Sequence, residues 1–191
     1  MGKNRLEAFS DGVIAILITI MVLELKVPKG ETIEALEPLT PVFLSYVLSF
    51  VYLGIYWNNH HHLFQAVERI NGRVLWANLH LLFWLSLLPF ATAWMGTTRF
   101  ATWPVALYGA VLLLAAFAYY LLVHALLAVH EPGSTLATAL GGDVKGRLSL
   151  ALYLLALPLA FVSSGMASAI YFLVAAMWLA PDPRIEKRMA E

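Results

Sequence analysis

Apolar residues along this chain gather into long runs separated by short polar stretches, and residues 12–23 pass without one charged side chain. Such runs fall at about residues 7–25, 41–64, 74–94 and 105–129. An apolar stretch of about 18 residues or more has the length of a bilayer crossing. The last run, residues 148–180, requires a decision. As one straight helix it would measure about 50 Å, well beyond a hydrocarbon core of about 30 Å. Ser163-Ser164-Gly165 is a turn signal in its middle, with Pro158 just before it. The run therefore divides into two short spans, about 148–162 and 166–180. The pattern predicts an all-α integral membrane protein, one six-span transmembrane domain over residues 1–191. The sizeable loops are 26–40 and 130–146, and neither could hold a soluble catalytic domain.

Composition strengthens this reading. Of 191 residues, 61% are hydrophobic and 13% charged, whereas soluble domains run at about half apolar and a quarter charged. Cysteine is absent, which excludes disulfides and thiolate metal sites. A formal net charge of zero argues against a nucleic-acid partner. The placement of charge says more than its sum. With the N-terminus in the cytoplasm, the inner segments hold Lys3, Arg5, Arg69, Arg73, Lys145, Arg147, Arg184, Lys187 and Arg188, and the outer ones Lys26, Lys29 and Arg99. That bias predicts six crossings with both termini cytoplasmic. Fusing the last two spans would export the basic tail. Glu7, Ser10 and Asp11 interrupt the order of a cleavable leader, so none is expected.

Polar residues at membrane depth are the candidate chemistry, because an ionised side chain there is costly without partners. Arg5, Ser10 and Asp11 lie on the inner part of the first span, Trp57-Asn58-Asn59-His60-His61-His62 on the inner end of the second, and Asn78 and His80 on the third. All share one level, which predicts a hydrogen-bonded network joining the three helices, with Arg5 and Asp11 as its charged members. The histidines either belong to that network or snorkel to the interface. Three histidines in a row point about 100° apart on a helix and cannot converge on one ion, so no metal site is expected and titration is the better reading.

Beyond the cluster, Phe9, Gly12 or Val13, Ile16, Thr19 or Ile20, and Leu23 recur at three- and four-residue spacing and define one face. Thr19 is the hydroxyl on that face and Glu24 stands at its outer end. Glu31, Glu34 and Glu37 follow in the outer loop. Carboxylates at a mouth concentrate cations, and a narrow apolar constriction behind them stops ions that keep their water. Each feature also has a plain reading, as packing, lipid contact or ordinary solvation.

The run Arg5-x-x-x-Phe9-Ser10-Asp11, followed by Gly12-Val13-x-Ala15-Ile16 and an aliphatic stretch ending at Leu23-Glu24, resembles the first-helix signature of the transmembrane-protein-175 family of potassium channels. Tyr56-Trp57-x-x-His60-His61-x-Leu63-Phe64 and Leu82-Phe83-Trp84-x-Ser86-Leu87-Leu88-Pro89-Phe90 extend the likeness into the second and third spans. From Trp103 onward the likeness is one of layout. The resemblance implies a homotetramer in the cell membrane, a multi-pass potassium-selective leak channel whose first helices line a central pore. By position, Ile16, Thr19, Ile20 and Leu23 would face that pore. Arg5, Phe9, Ser10 and Asp11, with Trp57, His61 and His80, would brace the helix. The family lacks a Thr-Val-Gly-Tyr-Gly carbonyl filter, as does this sequence, so an apolar bottleneck would act as filter and gate. Potassium ions are the expected permeant species, and no cofactor is implied.

The residues bear on two other classes. Asp11 and the histidines at membrane depth suit a proton-conducting channel or a proton-coupled transporter, although no internal repeat of the transporter kind is evident. An enzyme is not expected, since neither His-Glu-x-x-His nor Gly-x-Ser-x-Gly occurs.

Overall fold

The computed structural model describes residues 2–131, 134, 136 and 144–179. Arg184, Lys187, Arg188 and the predicted end of the last span at Ala180 lie outside the described residues. The described part is built of helices: α1 (Lys3–Met21), α2 (Thr40–Gln65), α3 (Gly72–Ser86), α4 (Leu88–Thr97), α5 (Thr102–Leu127), α6 (Val144–Val162) and α7 (Ser164–Leu179). A 3-10 turn, Val22–Glu24, extends α1, and a second, Ile33–Leu39, leads into α2. The stretches 3–24, 33–65, 72–97, 102–127 and 144–162 are long and apolar enough to cross a bilayer, while Ser164–Leu179 is a shorter apolar helix.

The helix ends gather at two levels. Lys3 Nζ donates to the Gln65 carbonyl at 3.4 Å, and His130 Nε2 accepts from the Glu68 amide at 3.1 Å, so the start of α1 and the ends of α2 and α5 share one level. Trp103 and Phe161 meet edge to face at 5.0 Å at the other. Trp178 Nε1 donates to Ser149 Oγ at 2.9 Å, tying the far end of α7 to the start of α6. The chain thus runs up and down, with α6 and α7 as an antiparallel hairpin folded at Ser163. The Ser163 hydroxyl starts the returning helix by accepting the Met166 amide at 3.3 Å.

Two boundaries differ from the pattern-based expectation. The helix of the first span starts at Lys3 rather than at about residue 7, so it takes in Arg5. The third span is bent: Pro89 has no amide hydrogen to continue the ladder, α3 stops at Ser86, and the Leu87 amide turns to the Trp84 carbonyl at 3.2 Å before α4 begins. The loop 26–40 also carries its own 3-10 helix with Pro38 inside it.

Behind α1, the core is a stack of tyrosines and small hydroxyls. Thr92 donates to the Leu88 carbonyl at 2.6 Å, so it accepts from Ser49 at 2.6 Å, and Ser49 in turn accepts from the Tyr108 hydroxyl at 2.9 Å. Tyr153 donates to Tyr52 at 3.2 Å, and Tyr52 to the Tyr171 carbonyl at 2.7 Å. These chains pin α2, α4, α5, α6 and α7 to one another, since a buried hydroxyl left without a partner costs about 1–3 kcal/mol. The α4–α5 turn places Arg99 and Phe100 at φ of 52° and 59°. The strain is held by amide bonds from Arg99 to Gly96 at 3.1 Å and from Phe100 to Met95 at 2.9 Å.

Candidate pore helix and its polar brace

Helix α1 divides by face. Leu6, Ser10, Ile14, Leu17 and Met21, at three- and four-residue spacing, are buried against the rest of the chain. The opposite face holds Ile16, 59% exposed, Ile20, 40%, and Leu23, 68%, together with exposed Phe9, Gly12 and Thr19. All of these apolar side chains therefore point away from their own protomer. The Thr19 hydroxyl donates to the Ile16 carbonyl at 2.9 Å, which turns its oxygen lone pairs outward to accept from, or ligate, whatever occupies that side.

The buried face is held by one connected brace. Ser10 Oγ donates to the Leu6 carbonyl at 2.9 Å and accepts from Asn78 Nδ2 at 2.9 Å. Asn78 Oδ1 lies 2.8 Å from His60 Nε2. Because the Ser10 proton is committed to Leu6, Asn78 must donate to Ser10, and its carbonyl must accept from His60. That order puts the imidazole proton on Nε2. The ring of His60 lies over Phe64, with centroids 4.4 Å apart. One hydrogen-bonded line thus joins α1, α3 and α2, and Ser10, Asn78 and His60 are all fully buried. His60 does not snorkel.

A second link lies at the membrane edge. Glu7 Oε1 accepts from His61 Nδ1 at 3.2 Å, and Gln65 Nε2 meets His61 Nε2 at 2.8 Å. Since Gln65 Nε2 can only donate, His61 Nε2 accepts and Nδ1 carries the proton toward Glu7. Trp57 stacks near-parallel on His61, at 6.2 Å and 17°.

The other sequence-predicted residues sit elsewhere. Arg5 is exposed and makes no ion pair among the described residues. It lies about 120° around the helix from Asp11, so the two cannot meet within one α1, and neither is a member of the line through Ser10. Asp11 Oδ1 is buried without a hydrogen-bond partner, as are His60 Nδ1 and His62 Nδ1. Phe9 is exposed on the face of Ile16. His80 accepts from Trp84 Nε1 at 2.9 Å within α3 and stays apart from the brace. Glu7 was missed by sequence reasoning. Its spacing to Ser10 and Ile14 places it beside the buried face, a signal already present in the three- and four-residue pattern. Among the described residues no group of His, Asp and Glu is placed to hold a metal ion.

The comparisons bear on this same region. The sequence model of the family described as endosomal/lysosomal potassium channel TMEM175 matches residues 5–89, which is α1, α2, α3 and the start of α4. A potassium channel of Chryseobacterium sp. (strain P1-3) is 53% identical over 191 residues, covering the whole of both chains. The chain belongs to the TMEM175 family. The crystal structure of a lysosomal potassium-selective channel TMEM175 homolog from Chamaesiphon minutus superposes with a TM-score of 0.79 at 32% identity, over 93% of this chain and 96% of that one. The endosomal/lysosomal proton channel TMEM175 of Gallus gallus is 36% identical over 48% of this chain, which is 21% of its own length. TMEM175 proteins are ion channels and not enzymes, and this member is a multi-pass membrane protein of helical build. The shared TMEM175 segment contains both the outward stripe of α1 and the brace behind it.

Proposed function

We propose that four copies of this chain form a potassium-selective leak channel in the cell membrane, with α1 of each copy lining a central pore. Six crossings per chain, made by α1, α2, the bent α3–α4, α5, α6 and α7, would leave both termini in the cytoplasm. The observation that carries the reading is α1 itself: one face braced to α2 and α3 through Ser10, Asn78 and His60, the other presenting Ile16, Ile20 and Leu23 away from the protomer. A helix that packed only against lipid would need no such fixed rotation. The names of the relatives from Chryseobacterium and Chamaesiphon minutus support potassium as the permeant ion.

The filter would be an apolar throat. Rings of Ile16 and Leu23 force an ion to shed part of its water, and potassium holds its water less tightly than sodium, so sodium meets the larger penalty. Four Thr19 hydroxyls between the rings would lower the barrier, and Glu24 with Glu31, Glu34 and Glu37 would raise the cation concentration outside. The test is potassium flux from loaded proteoliposomes. Ile16→Asn and Leu23→Asn are each expected to raise flux and lower the potassium-to-sodium ratio; unchanged flux in both would remove these side chains from the path.

A second reading is proton conduction. It is favoured by the buried, unpartnered Asp11 Oδ1 and His60 Nδ1 and by the name of the Gallus gallus relative. A pH gradient separates the two: a proton current abolished by His61→Gln or Asp11→Asn, beside an unaltered potassium flux, would favour protons.

A further inference from the structure

We infer that the outer end of α1 and the flank of α4 form a binding site for a soluble alkylammonium ion. Glu24, Phe90, Ala93, Trp94 and Thr97 line an open groove of about 340 Å³. Phe90 and Trp94 are four residues apart on one face of α4, both exposed, with ring centroids 6.3 Å apart and planes tilted by 31°. Thr97 donates its proton to the Ala93 carbonyl at 2.7 Å, so its oxygen can only accept at the groove. Glu24 is exposed and has no cationic partner among the described residues. Lys26, the nearest base in sequence, reaches the Leu23 carbonyl at 3.3 Å instead.

These groups select by chemistry. A carboxylate beside two aromatic faces rewards a cation that also carries apolar surface, because the ring quadrupoles attract the charge while the alkyl groups leave water. A hydrated potassium or calcium ion gains little here, since one carboxylate and one hydroxyl fall far short of the six or more oxygens a hard cation takes. Glu24 directly follows Leu23, so an occupant would stand at the rim of the throat. That consequence, though not the site, rests on α1 lining the pore.

Isothermal titration of the purified protein with tetraethylammonium chloride tests the site. Saturable binding is expected, weakened about ten-fold by Glu24→Gln and by Trp94→Leu and largely kept by Trp94→Phe. Trp76→Leu, at an exposed aromatic outside the groove, serves as the control. Absence of saturable binding, or equal weakening in the control, overturns the assignment. Size-exclusion elution of each variant separates loss of binding from loss of fold. Titration in nanodiscs of phosphatidylglycerol, with and without phosphatidylethanolamine, resolves the source: if the ethanolamine lipid competes tetraethylammonium away, the occupant is a headgroup and the soluble-ion assignment falls. Externally added tetraethylammonium should also slow potassium efflux. Intact binding with unaltered efflux would leave the site standing and count against α1 as the pore helix.

Discussion

Asn78 is the pivot at the residue scale, because its amide is at once donor to Ser10 and acceptor for His60. Asn78→Leu therefore leaves the buried His60 Nε2–H without an acceptor and takes from the Ser10 oxygen, which keeps its own bond to Leu6, the donor it accepts from. A buried group left without its partner costs about 1–3 kcal/mol. Thermal unfolding in detergent should therefore show a clear drop for Asn78→Leu, which breaks both bonds of the line, and a smaller one for Ser10→Ala, which leaves the Asn78 Nδ2–H unpaired but His60 with its partner. Equal or reversed drops would mean that the line is not continuous. Ser10 and Asn78 were readable in the sequence because a polar residue at membrane depth stands out against its neighbours. Glu7, the partner of His61, was passed over because charged residues are ordinary near the interface, although its spacing to Ser10 and Ile14 marked the buried side.

At the scale of elements, close approach explains how short helices pack. A Cβ on Gly109 of α5 would overlap the Tyr171 hydroxyl of α7, the same hydroxyl that donates to the Val105 carbonyl at 3.2 Å. Gly96 of α4 faces the Val42 Cα of α2 at 2.8 Å from where its Cβ would stand. Gly109→Ala should destabilise by about 1–3 kcal/mol through overpacking. Adding Tyr171→Phe should recover part of the loss, because it removes the atom in collision; unfolding midpoints of the two single variants and the double variant measure the coupling. The hairpin of α6 and α7 was legible from its turn signal and from helix length alone. The bend at Leu87 was not, although Pro89 was in plain view, since proline near a helix start is as ordinary as proline at a break.

At the scale of the whole molecule, α1 presents its apolar face outward from the protomer, and the proposal requires a ring of copies to enclose it. The purified particle is expected to show a four-fold axis with α1 beside it; an axis flanked by another helix would end the pore assignment. In the proposed ring, Asp11 would bear on assembly rather than on the throat. It lies about 120–140° around α1 from Leu23 and Ile16, toward the flank where a neighbour would pack. Asp11→Ala should therefore lower the tetramer fraction in light scattering while the potassium-to-sodium ratio of the remaining channels holds. An intact tetramer with altered selectivity would place Asp11 in the ion path instead.

Hydropathy and length by themselves determined the helical class, the membrane location and the number of apolar runs, because the bilayer imposes its thickness on any chain that crosses it. The motif on α1 likewise marked the family. Pairing was decided only in three dimensions. That Ser10 meets Asn78 and Glu7 meets His61 depends on the rotation of α1 against α2 and α3, whereas the divergence of Arg5 and Asp11 follows from their spacing on one helix. Helix rotation is set by packing summed over many side chains from distant parts of the chain, and no local pattern encodes that sum.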